Sequence, residues 1–251
     1  MSIMHPRSAH NYKNRGFFPT DDDTTTRTVQ ALQSAEGDLI KIIDPCCGEG
    51  VALKRCEEAL SNIDNKVKSF GIEIDEEHAW NAKAVLDYCI NSDLNDCVIS
   101  PRQFGLLWLN PPYGDLAKDH SHIRKEKGAG RRRLEKEIYV KSQGSLQFGG
   151  VLVLIIPHYS LDNEFCNWIS KGYKNVSVYR APEQQFKQIV IFGVKRIPGR
   201  IDPELKSSLL HAAESPMDIG ELPISWVEDK YIVPAVVNEK QQQFRSVNID
   251  I

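Results

Sequence analysis

Four residues that follow an apolar run combine a stiff turn with hydrogen-bond acceptors. Asn110, Pro111, Pro112 and Tyr113 come directly after Phe104–Leu109. The length and apolarity of that run predict a buried parallel strand, so the tetrad would lie at the carboxyl end of a sheet, where open α/β sheets bind their ligands. The prolines fix φ and hold the preceding residue extended, which makes this corner stiff.

The chemistry available to this tetrad concerns an amino group. Toward an NH2 group, the side-chain oxygen of Asn110 and the main-chain carbonyl of Pro111 are acceptors, and together they can hold both hydrogens. An amino group on a heteroaromatic ring or in an amide is a weak nucleophile because its lone pair is delocalised. Two fixed acceptors would draw it toward tetrahedral geometry and free that lone pair. An ordinary Asn-Pro turn is the alternative that the tetrad alone leaves open.

A glycine-containing loop upstream predicts a pocket of the nucleotide-binding kind. An Ile-rich strand ends at Asp44, and the loop after it closes with Gly48 and Gly50 before apolar positions at helical spacing. Strand, glycine loop and helix in this order are typical of a Rossmann βα turn. A dinucleotide fingerprint would require Gly where this chain has Leu53, which disfavours a pyrophosphate ligand.

Acidic residues follow the next two predicted strands. Residues 67–74 form the second strand, and Glu73 near its end is placed to accept from a ribose diol. Asp75 precedes two further acids and is predicted to cap the next helix. Asp93 comes close after the third predicted strand and is another candidate for a ligand contact. A surface turn acid is the alternative for Asp93.

Three motifs in this order and spacing resemble the class I S-adenosylmethionine-dependent methyltransferases. They read Asp-Pro-Cys-Cys-Gly-Glu-Gly at 44–50, Gly-Ile-Glu-Ile-Asp at 71–75 and Asn-Pro-Pro-Tyr at 110–113. Within that class they are most similar to the amino-group methyltransferases typified by DNA adenine-N6 enzymes. Phe-Phe-Pro-Thr at 17–20 resembles the aromatic-Pro-Thr element that precedes the cofactor loop in those enzymes. The resemblance covers residues 15 to 195, approximately.

The resemblance implies S-adenosylmethionine as cofactor and a role for each matching position. At the amino acid end of the cofactor, the resemblance implies Thr20 at the methionine carboxylate, with Asp44, Gly48 and Gly50 alongside. Glu73 would bind the ribose, Ile74 would pack on the adenine and Asp93 would bind the adenine amino group. Phe104 or Asn110 would complete the wall around the adenine. The implied catalytic set is Asn110, Pro111, Pro112 and Tyr113, with Tyr113 stacking on the target ring. Phe186 matches a position where an aromatic residue sandwiches a flipped base; an ordinary edge-strand aromatic is its alternative.

The remaining patterns complete the predicted fold and its organisation. An apolar run at 149–157 resembles the family's fifth strand, and residues 176–179 and 189–194 predict an antiparallel edge pair. We therefore predict an α/β fold, a Rossmann-like seven-stranded mostly parallel sheet with helices on both faces. The predicted organisation is a flexible lead at 1–16, a methyltransferase domain at 17–199 and a small C-terminal appendage at 200–251, in which residues 224–227 and 231–233 would form a hairpin.

Composition limits the class of protein. The chain has 251 residues, 41% of them hydrophobic, which is enough for a full α/β core. It lacks an apolar span of about 18 residues and a signal-like start, so no membrane association is expected. Six cysteines without zinc-site spacing predict no metal, and reduced thiols favour the cytoplasm. A net charge of −3 gives no generic attraction to nucleic acid.

A basic segment begins shortly after the tetrad. Between Lys118 and Lys141 it carries Arg124, Lys125, Lys127, Arg131, Arg132, Arg133 and Lys136. Together with glycines at 128 and 130, it predicts a mobile loop over the mouth of the site, where Arg131, Arg132 and Arg133 would meet phosphates of the substrate. A solvated face is one alternative. Pairing of Arg132 or Arg133 with acids of the following helix is another.

The implied activity is methyl transfer from S-adenosylmethionine to an exocyclic amino group, with adenine N6 in DNA as the leading target. Only about fifty residues follow Gly199, so recognition would be short or relaxed, or would come from a partner subunit or the insertion at 115–135. RNA adenine and a protein glutamine amide are alternative targets. A non-catalytic accessory module that binds cofactor or nucleic acid is an alternative of another class, against which intact Asn110 and Tyr113 argue.

Overall fold

Helices and strands alternate along most of the chain. The computed structural model describes residues 20–37, 39–63, 65–113, 133–227, 230–237 and 242–247. The helices in these ranges are α1 (Asp22–Gln30), α2 (Val51–Leu60), α3 (Glu76–Val85), α4 (Leu134–Ser142), α5 (Asn163–Gly172) and α6 (Pro203–Glu214). The strands are β1 (Leu32–Ser34), β2 (Leu39–Asp44), β3 (Lys66–Glu73), β4 (Tyr88–Asn91), β5 (Cys97–Ile99), β6 (Phe104–Leu109), β7 (Leu146–Pro157), β8 (Tyr173–Arg180), β9 (Gln188–Lys195), β10 (Tyr231–Val233) and β11 (Phe244–Ser246).

Seven of these strands form one sheet in the order β4-β3-β2-β6-β7-β9-β8. The first five are parallel neighbours, and β9 is antiparallel to both β7 and β8. The predicted Rossmann-like sheet with its antiparallel edge pair is therefore confirmed. The chain moves outward in one direction from β2 and in the other from β6, so the boundary between these strands is the switch point at which such sheets bind ligands.

Apolar side chains of the central strands point alternately into two cores. Ile42 of β2 packs in a cluster with Leu53 of α2, whereas Ile43 packs with Tyr139 of α4 and Phe165 of α5. Burial on both faces explains why β2 and β6 read as continuous apolar runs. Each fully buried side chain of this size contributes about 1.5–3 kcal/mol to folding. The two cores confirm that helices cover both faces.

The loop between β2 and α2 depends on glycine at two positions. Gly48 and Gly50 have φ of 53° and 80°, in the left-handed region where a side chain is strained. The loop also lies close against β3, because a Cβ on Gly71 would come within 2.6 Å of the Cys47 sulfur. Its position is therefore fixed by close packing against the neighbouring strand.

The segment after residue 199 packs against the main sheet, and its strands form two separate two-stranded pairs. β10 pairs in parallel with β1, and β11 pairs antiparallel with β5. The Tyr231 ring stacks on Phe192 of β9 at 4.9 Å, and a Cβ on Gly105 of β6 would collide with the Pro234 carbonyl oxygen. The predicted hairpin of residues 224–227 with 231–233 is thus wrong, because Tyr231 gains a buried aromatic partner by pairing with β1. The domain boundary at 199 stays a prediction.

Several predicted features lie outside the described residues. They are the lead at 1–16, the aromatic-Pro positions 17–19 and residues 114–132, which include most of the basic segment, Arg131 and Arg132. Within the described ranges, no helix has the length and apolarity that a membrane span requires.

Candidate active site

Polar residues gather at the carboxyl ends of four neighbouring parallel strands. Asp44 ends β2, Glu73 ends β3 and Asn91 ends β4, while Asn110 follows β6. The strands run in register, with Asp44 beside Gly71 and Glu73 beside Asn91. Since parallel strands end at one edge of the sheet, the sequence motifs converge at the switch point between β2 and β6.

Asp44 is a carboxyl group in a dry environment. It is 3% exposed, and its Oδ1 accepts a hydrogen bond from the Cys46 main-chain N–H at 2.9 Å. Burial raises the pKa of Asp44 to about 8; the hydrogen bond from Cys46 opposes this, and the negative charge of Glu73 adds to it. A cationic group placed beside Asp44 would favour the ionised form and lower this pKa.

Glu73 connects the glycine loop to the start of α3. Its Oε2 accepts from the Gly48 N–H and its Oε1 from the Asp75 N–H, each at 2.8 Å. The side chain is buried, with 8% exposed. An ionised carboxylate has about four acceptor positions, so both oxygens retain acceptor capacity for the hydroxyls of a ligand.

Ile74 and Asp75 have separate roles after β3. Asp75 caps α3, since its Oδ1 accepts from the N–H groups of Glu77 at 3.1 Å and His78 at 3.2 Å. The prediction that Asp75 is a helix cap is therefore confirmed. Ile74 is 68% exposed and offers an apolar surface directly after Glu73. Asp93 is also a helix cap: its side chain accepts a hydrogen bond from the Asn95 N–H at the start of a short 3-10 helix.

Asn91 is a site-supporting residue that the sequence interpretation missed. Its Nδ2 donates to the carbonyl oxygens of Glu73 at 3.0 Å and Ile74 at 3.2 Å. These bonds hold the end of β3 against β4. The available signal was an amide side chain at the end of a short strand, next to the predicted ligand acid.

The tetrad takes part in a chain of side-chain hydrogen bonds. Gln188 Nε2 donates to the Tyr113 hydroxyl at 2.6 Å, and that hydroxyl donates to Asn110 Oδ1 at 2.5 Å. Asn110 Nδ2 in turn donates to Thr20 Oγ1 at 2.9 Å. The structure thus brings together Thr20, which was predicted at the cofactor, and the predicted catalytic Asn110. Gln188 was missed, although a Gln that begins an otherwise apolar strand is a recognisable signal.

Tyr113 is held as a neutral phenol. Burial raises the pKa of its hydroxyl well above the ordinary value; the hydrogen bond from Gln188 opposes this, and the nearby Glu135 and Tyr159 add to it. Tyr113 therefore keeps its hydroxyl hydrogen near neutral pH and can donate it to Asn110.

Arg133 is anchored beside the site by a buried acid. Its Nε lies 2.8 Å from Oε1 of Glu135, which is fully buried and also accepts from the Ser160 hydroxyl at 2.6 Å. The guanidinium lies 4.8 Å from the centre of the Tyr159 ring. The alternative in which Arg133 pairs with the following helix matches this geometry. Phe186 is partly buried in the turn before β9.

Phe104 cannot belong to the adenine wall. It begins β6, whereas Asn110 follows the end of that strand, and a strand rises about 3.3 Å per residue. Phe104 is fully buried and packs edge-to-face on Phe70 at 5.2 Å. The alternative in which Phe104 completes this wall is therefore wrong.

Most of the chain matches one known protein family. The model of the family described as "Uncharacterised methyltransferase family (DUF6094)" matches residues 7–236. The chain belongs to this methyltransferase family. No curated protein matches the chain.

Solved structures show the same fold in other methyltransferases. A putative class I S-adenosylmethionine-dependent methyltransferase from Listeria monocytogenes aligns with a TM-score of 0.58 and 13% identity, covering 83% of this chain and 76% of the other. The type I restriction-modification methyltransferase subunit from Streptococcus thermophilus aligns with a TM-score of 0.54 and 16% identity, covering 80% of this chain and 53% of the other. The EcoKI M protein of a type I restriction enzyme aligns with a TM-score of 0.53 and 14% identity, covering 80% of this chain and 50% of the other. The chain thus spans about half the length of these two subunits.

Proposed function

We propose that this methyltransferase transfers the methyl group of S-adenosylmethionine to an exocyclic amino group, with adenine N6 in DNA as the target. The methyltransferase family, and the fold shared with an S-adenosylmethionine-dependent methyltransferase, support the predicted cofactor. The observation that supports an amino group as the methyl acceptor is the orientation of Asn110, whose carboxamide directs Nδ2 to Thr20 and Oδ1 to Tyr113. Asn110 therefore offers an acceptor, as an incoming amino group requires.

The residues at the strand ends fit S-adenosylmethionine. The buried Asp44 suits the ammonium group at the amino acid end, and the Gly48 and Gly50 backbone leaves room for close approach. Glu73 retains acceptors for ribose hydroxyls, and the exposed face of Ile74 suits the adenine ring. The remaining two proposed contacts are Asp93 at the adenine amino group and Thr20 at the carboxylate.

Positioning is the main contribution of the tetrad to the reaction. The cofactor supplies an electrophilic sulfonium methyl group, so the protein needs to align the acceptor nitrogen and release its lone pair. A carbonyl oxygen has two lone pairs, so Asn110 Oδ1 can accept from the target amino group while it accepts from Tyr113. The Pro111 carbonyl would take the second amino hydrogen, and Pro112 stiffens the corner.

A base in DNA reaches such a pocket only after leaving the helical stack, which costs a few kcal/mol. Stacking of Tyr113 and Phe186 on the extruded base would offset this by about 1–3 kcal/mol per contact. Arg131, Arg132 and Arg133 would contact phosphates, and Arg133 is already anchored at the edge of the site by Glu135. Two structural neighbours are subunits of type I restriction-modification systems. Our proposal therefore includes a partner subunit that recognises the target sequence for this chain.

The test measures which polymer accepts the methyl group and at which atom. The chain is incubated with methyl-labelled cofactor and duplex DNA, single-stranded DNA, RNA or protein, and the product is identified by mass spectrometry, with Asn110→Ala as control. We expect N6-methyladenine from DNA and none from the variant. Label only in RNA or on glutamine would reassign the substrate. Cofactor binding without any transfer would favour an accessory module.

A further inference from the structure

The hydrogen-bond chain through the tetrad runs in one direction. Gln188 donates to Tyr113, Tyr113 to Asn110 and Asn110 to Thr20. Tyrosine and threonine hydroxyls can each donate or accept, so neither determines which way the Asn110 carboxamide is turned. The NH2 group of Gln188 only donates. Since Gln188 directs its NH2 group, and not its oxygen, to Tyr113, the orientation of this first member sets the polarity of the chain.

We propose that Gln188 is a positioning residue that acts through Tyr113 to keep Oδ1 of Asn110, and not its NH2 group, on the side of the target. The inference rests on the proposed function for its catalytic consequence. A phenol has a single hydrogen. Because Tyr113 accepts from Gln188, it gives that hydrogen to Oδ1 of Asn110 at 2.5 Å, a much shorter contact than the 3.4 Å to the Ile155 carbonyl oxygen, and Asn110 presents its oxygen.

The surroundings of Gln188 make this constraint strict. Gln188 is 1% exposed and begins β9, where it pairs with Pro157 of β7. Tyr113 keeps its hydrogen near neutral pH, since burial raises the pKa of its hydroxyl. In such a buried location a donor or acceptor without a partner costs free energy. Reversing the direction of one hydrogen bond in the chain would therefore force the next one to reverse as well.

The orientation of Asn110 matters because its two ends have opposite roles. With Oδ1 on the side of Tyr113, the side chain can accept from an amino group. If the carboxamide turned over, its NH2 group would face the hydrogens of the target, and two donors would oppose each other. The same polarity makes Thr20 an acceptor from Asn110, so the Thr20 hydroxyl can give its own hydrogen to a cofactor carboxylate.

Gln188→Glu tests the polarity with almost no change in shape. A carboxylate only accepts, so Tyr113 would donate to it, and Asn110 would have to turn its NH2 group toward Tyr113. We expect kcat at saturating cofactor to fall about 30-fold or more at about pH 8. Protonation of the introduced carboxylate at lower pH restores a donor, so the activity of this variant should partly recover below about pH 6, relative to wild type.

Two further variants separate polarity from packing. Gln188→Leu removes the donor without installing an acceptor, so its loss of kcat should be smaller than that of Gln188→Glu and should not recover at low pH. Tyr113→Phe interrupts the chain, so adding Gln188→Glu to it should produce no further loss. Wild type measured across the same pH range controls for other charged and titratable groups nearby, which among the described residues include Arg133, Glu135, His158, Tyr159 and Lys187.

NMR of the Asn110 side-chain amide gives a readout that does not depend on activity. We expect its amide hydrogens to show a nuclear Overhauser contact to the Thr20 methyl group in wild type, and to the Tyr113 ring in Gln188→Glu at about pH 8. Asn110→Asp removes the signal and assigns it.

The inference is overturned if the wild-type amide hydrogens lie beside Tyr113, or if Gln188→Glu keeps the wild-type NMR contact and an unchanged pH profile. Full additivity of Gln188→Glu with Tyr113→Phe would also overturn it. Failure of the proposed function has a different signature. In that case Asn110→Ala would match wild type in transfer while the NMR contact to Thr20 remained as expected.

Discussion

At the scale of single residues, two acids at neighbouring strand ends are prepared for different tasks. Asp44 is buried with one main-chain hydrogen bond, and its pKa is raised to about 8. Glu73 has a main-chain donor on each oxygen. Glu73 therefore holds the loop, and its remaining acceptor positions would bind ligand hydroxyls, whereas the charge of Asp44 would change with its surroundings.

The titration of Asp44 predicts that cofactor binding releases a proton. At about pH 7 most Asp44 carboxyls are protonated in the free protein, and the ammonium group of S-adenosylmethionine would favour the ionised form. Titration calorimetry in buffers of different ionisation enthalpy should show release of nearly one proton at about pH 7 and little at about pH 9. Asp44→Asn should abolish it. Equal proton release in both proteins would contradict the role of Asp44.

The same shift predicts how the stability of the free protein depends on pH. The folded pKa of about 8 lies above the unfolded value of about 3.9. Between these two pKa values the folded state binds more protons at Asp44 than the unfolded state does. The contribution of Asp44 to stability is therefore lost as pH rises from the unfolded pKa to the folded pKa. Urea unfolding from about pH 5 to pH 8 should show a smaller decline for Asp44→Asn than for wild type. Parallel declines would contradict the shift.

At the scale of elements, the site depends on how closely the glycine loop approaches β3. A methyl group at Gly71 would come within 2.6 Å of the Cys47 sulfur and 2.7 Å of Leu86. Gly144 has open space around its Cβ position and serves as a matched control. The two glycines therefore separate a packing constraint from the general effect of replacing glycine.

Gly71→Ala should destabilise the protein by about 1–3 kcal/mol through overpacking, and should weaken cofactor binding because the displaced loop carries Gly48. Gly144→Ala should change stability by about 0.5 kcal/mol or less. Denaturant unfolding and cofactor titration measure both effects. If the two variants behaved alike, close loop packing would not be what positions the cofactor site.

Much of this arrangement could be predicted from sequence, because the signals are local. The apolar run before Asn110 and the glycines after Asp44 each predict an element and its ligand-facing end. The position of Gln188 at the start of an apolar strand marks it as unusual, but its role could not be predicted from sequence, since that role depends on a contact with Tyr113, 75 positions away. The predicted hairpin of residues 224–227 with 231–233 was wrong for a similar reason. The sequence around these residues does not show that β1, far away in the chain, can pair with the strand that carries Tyr231.

At the scale of the whole molecule, the segment after Gly199 completes the core. Tyr231 is 7% exposed and stacks on Phe192, Trp226 Nε1 donates to the Arg27 carbonyl at 3.0 Å, and the Phe244 ring packs edge-to-face on Phe70 at 5.1 Å. These contacts reach both halves of the main sheet. We therefore expect the catalytic sheet to depend on its C-terminal segment for stability.

Tyr231→Ala should destabilise the protein by about 3–5 kcal/mol, the usual range for truncating a buried aromatic side chain. Ile232 lies on the same strand, is 48% exposed and provides the matched control as Ile232→Ala. Thermal and urea unfolding compare the two. A Tyr231→Ala protein as stable as the control would indicate that the segment is an independent appendage.

The most direct test of the whole account compares DNA adenine methylation by wild type and Asn110→Ala at saturating cofactor. We predict that the variant loses N6-methyladenine formation by about 100-fold or more, while its dissociation constant for S-adenosylmethionine stays within a few-fold of wild type. An Asn110→Ala enzyme that methylates adenine at the wild-type rate would contradict the account.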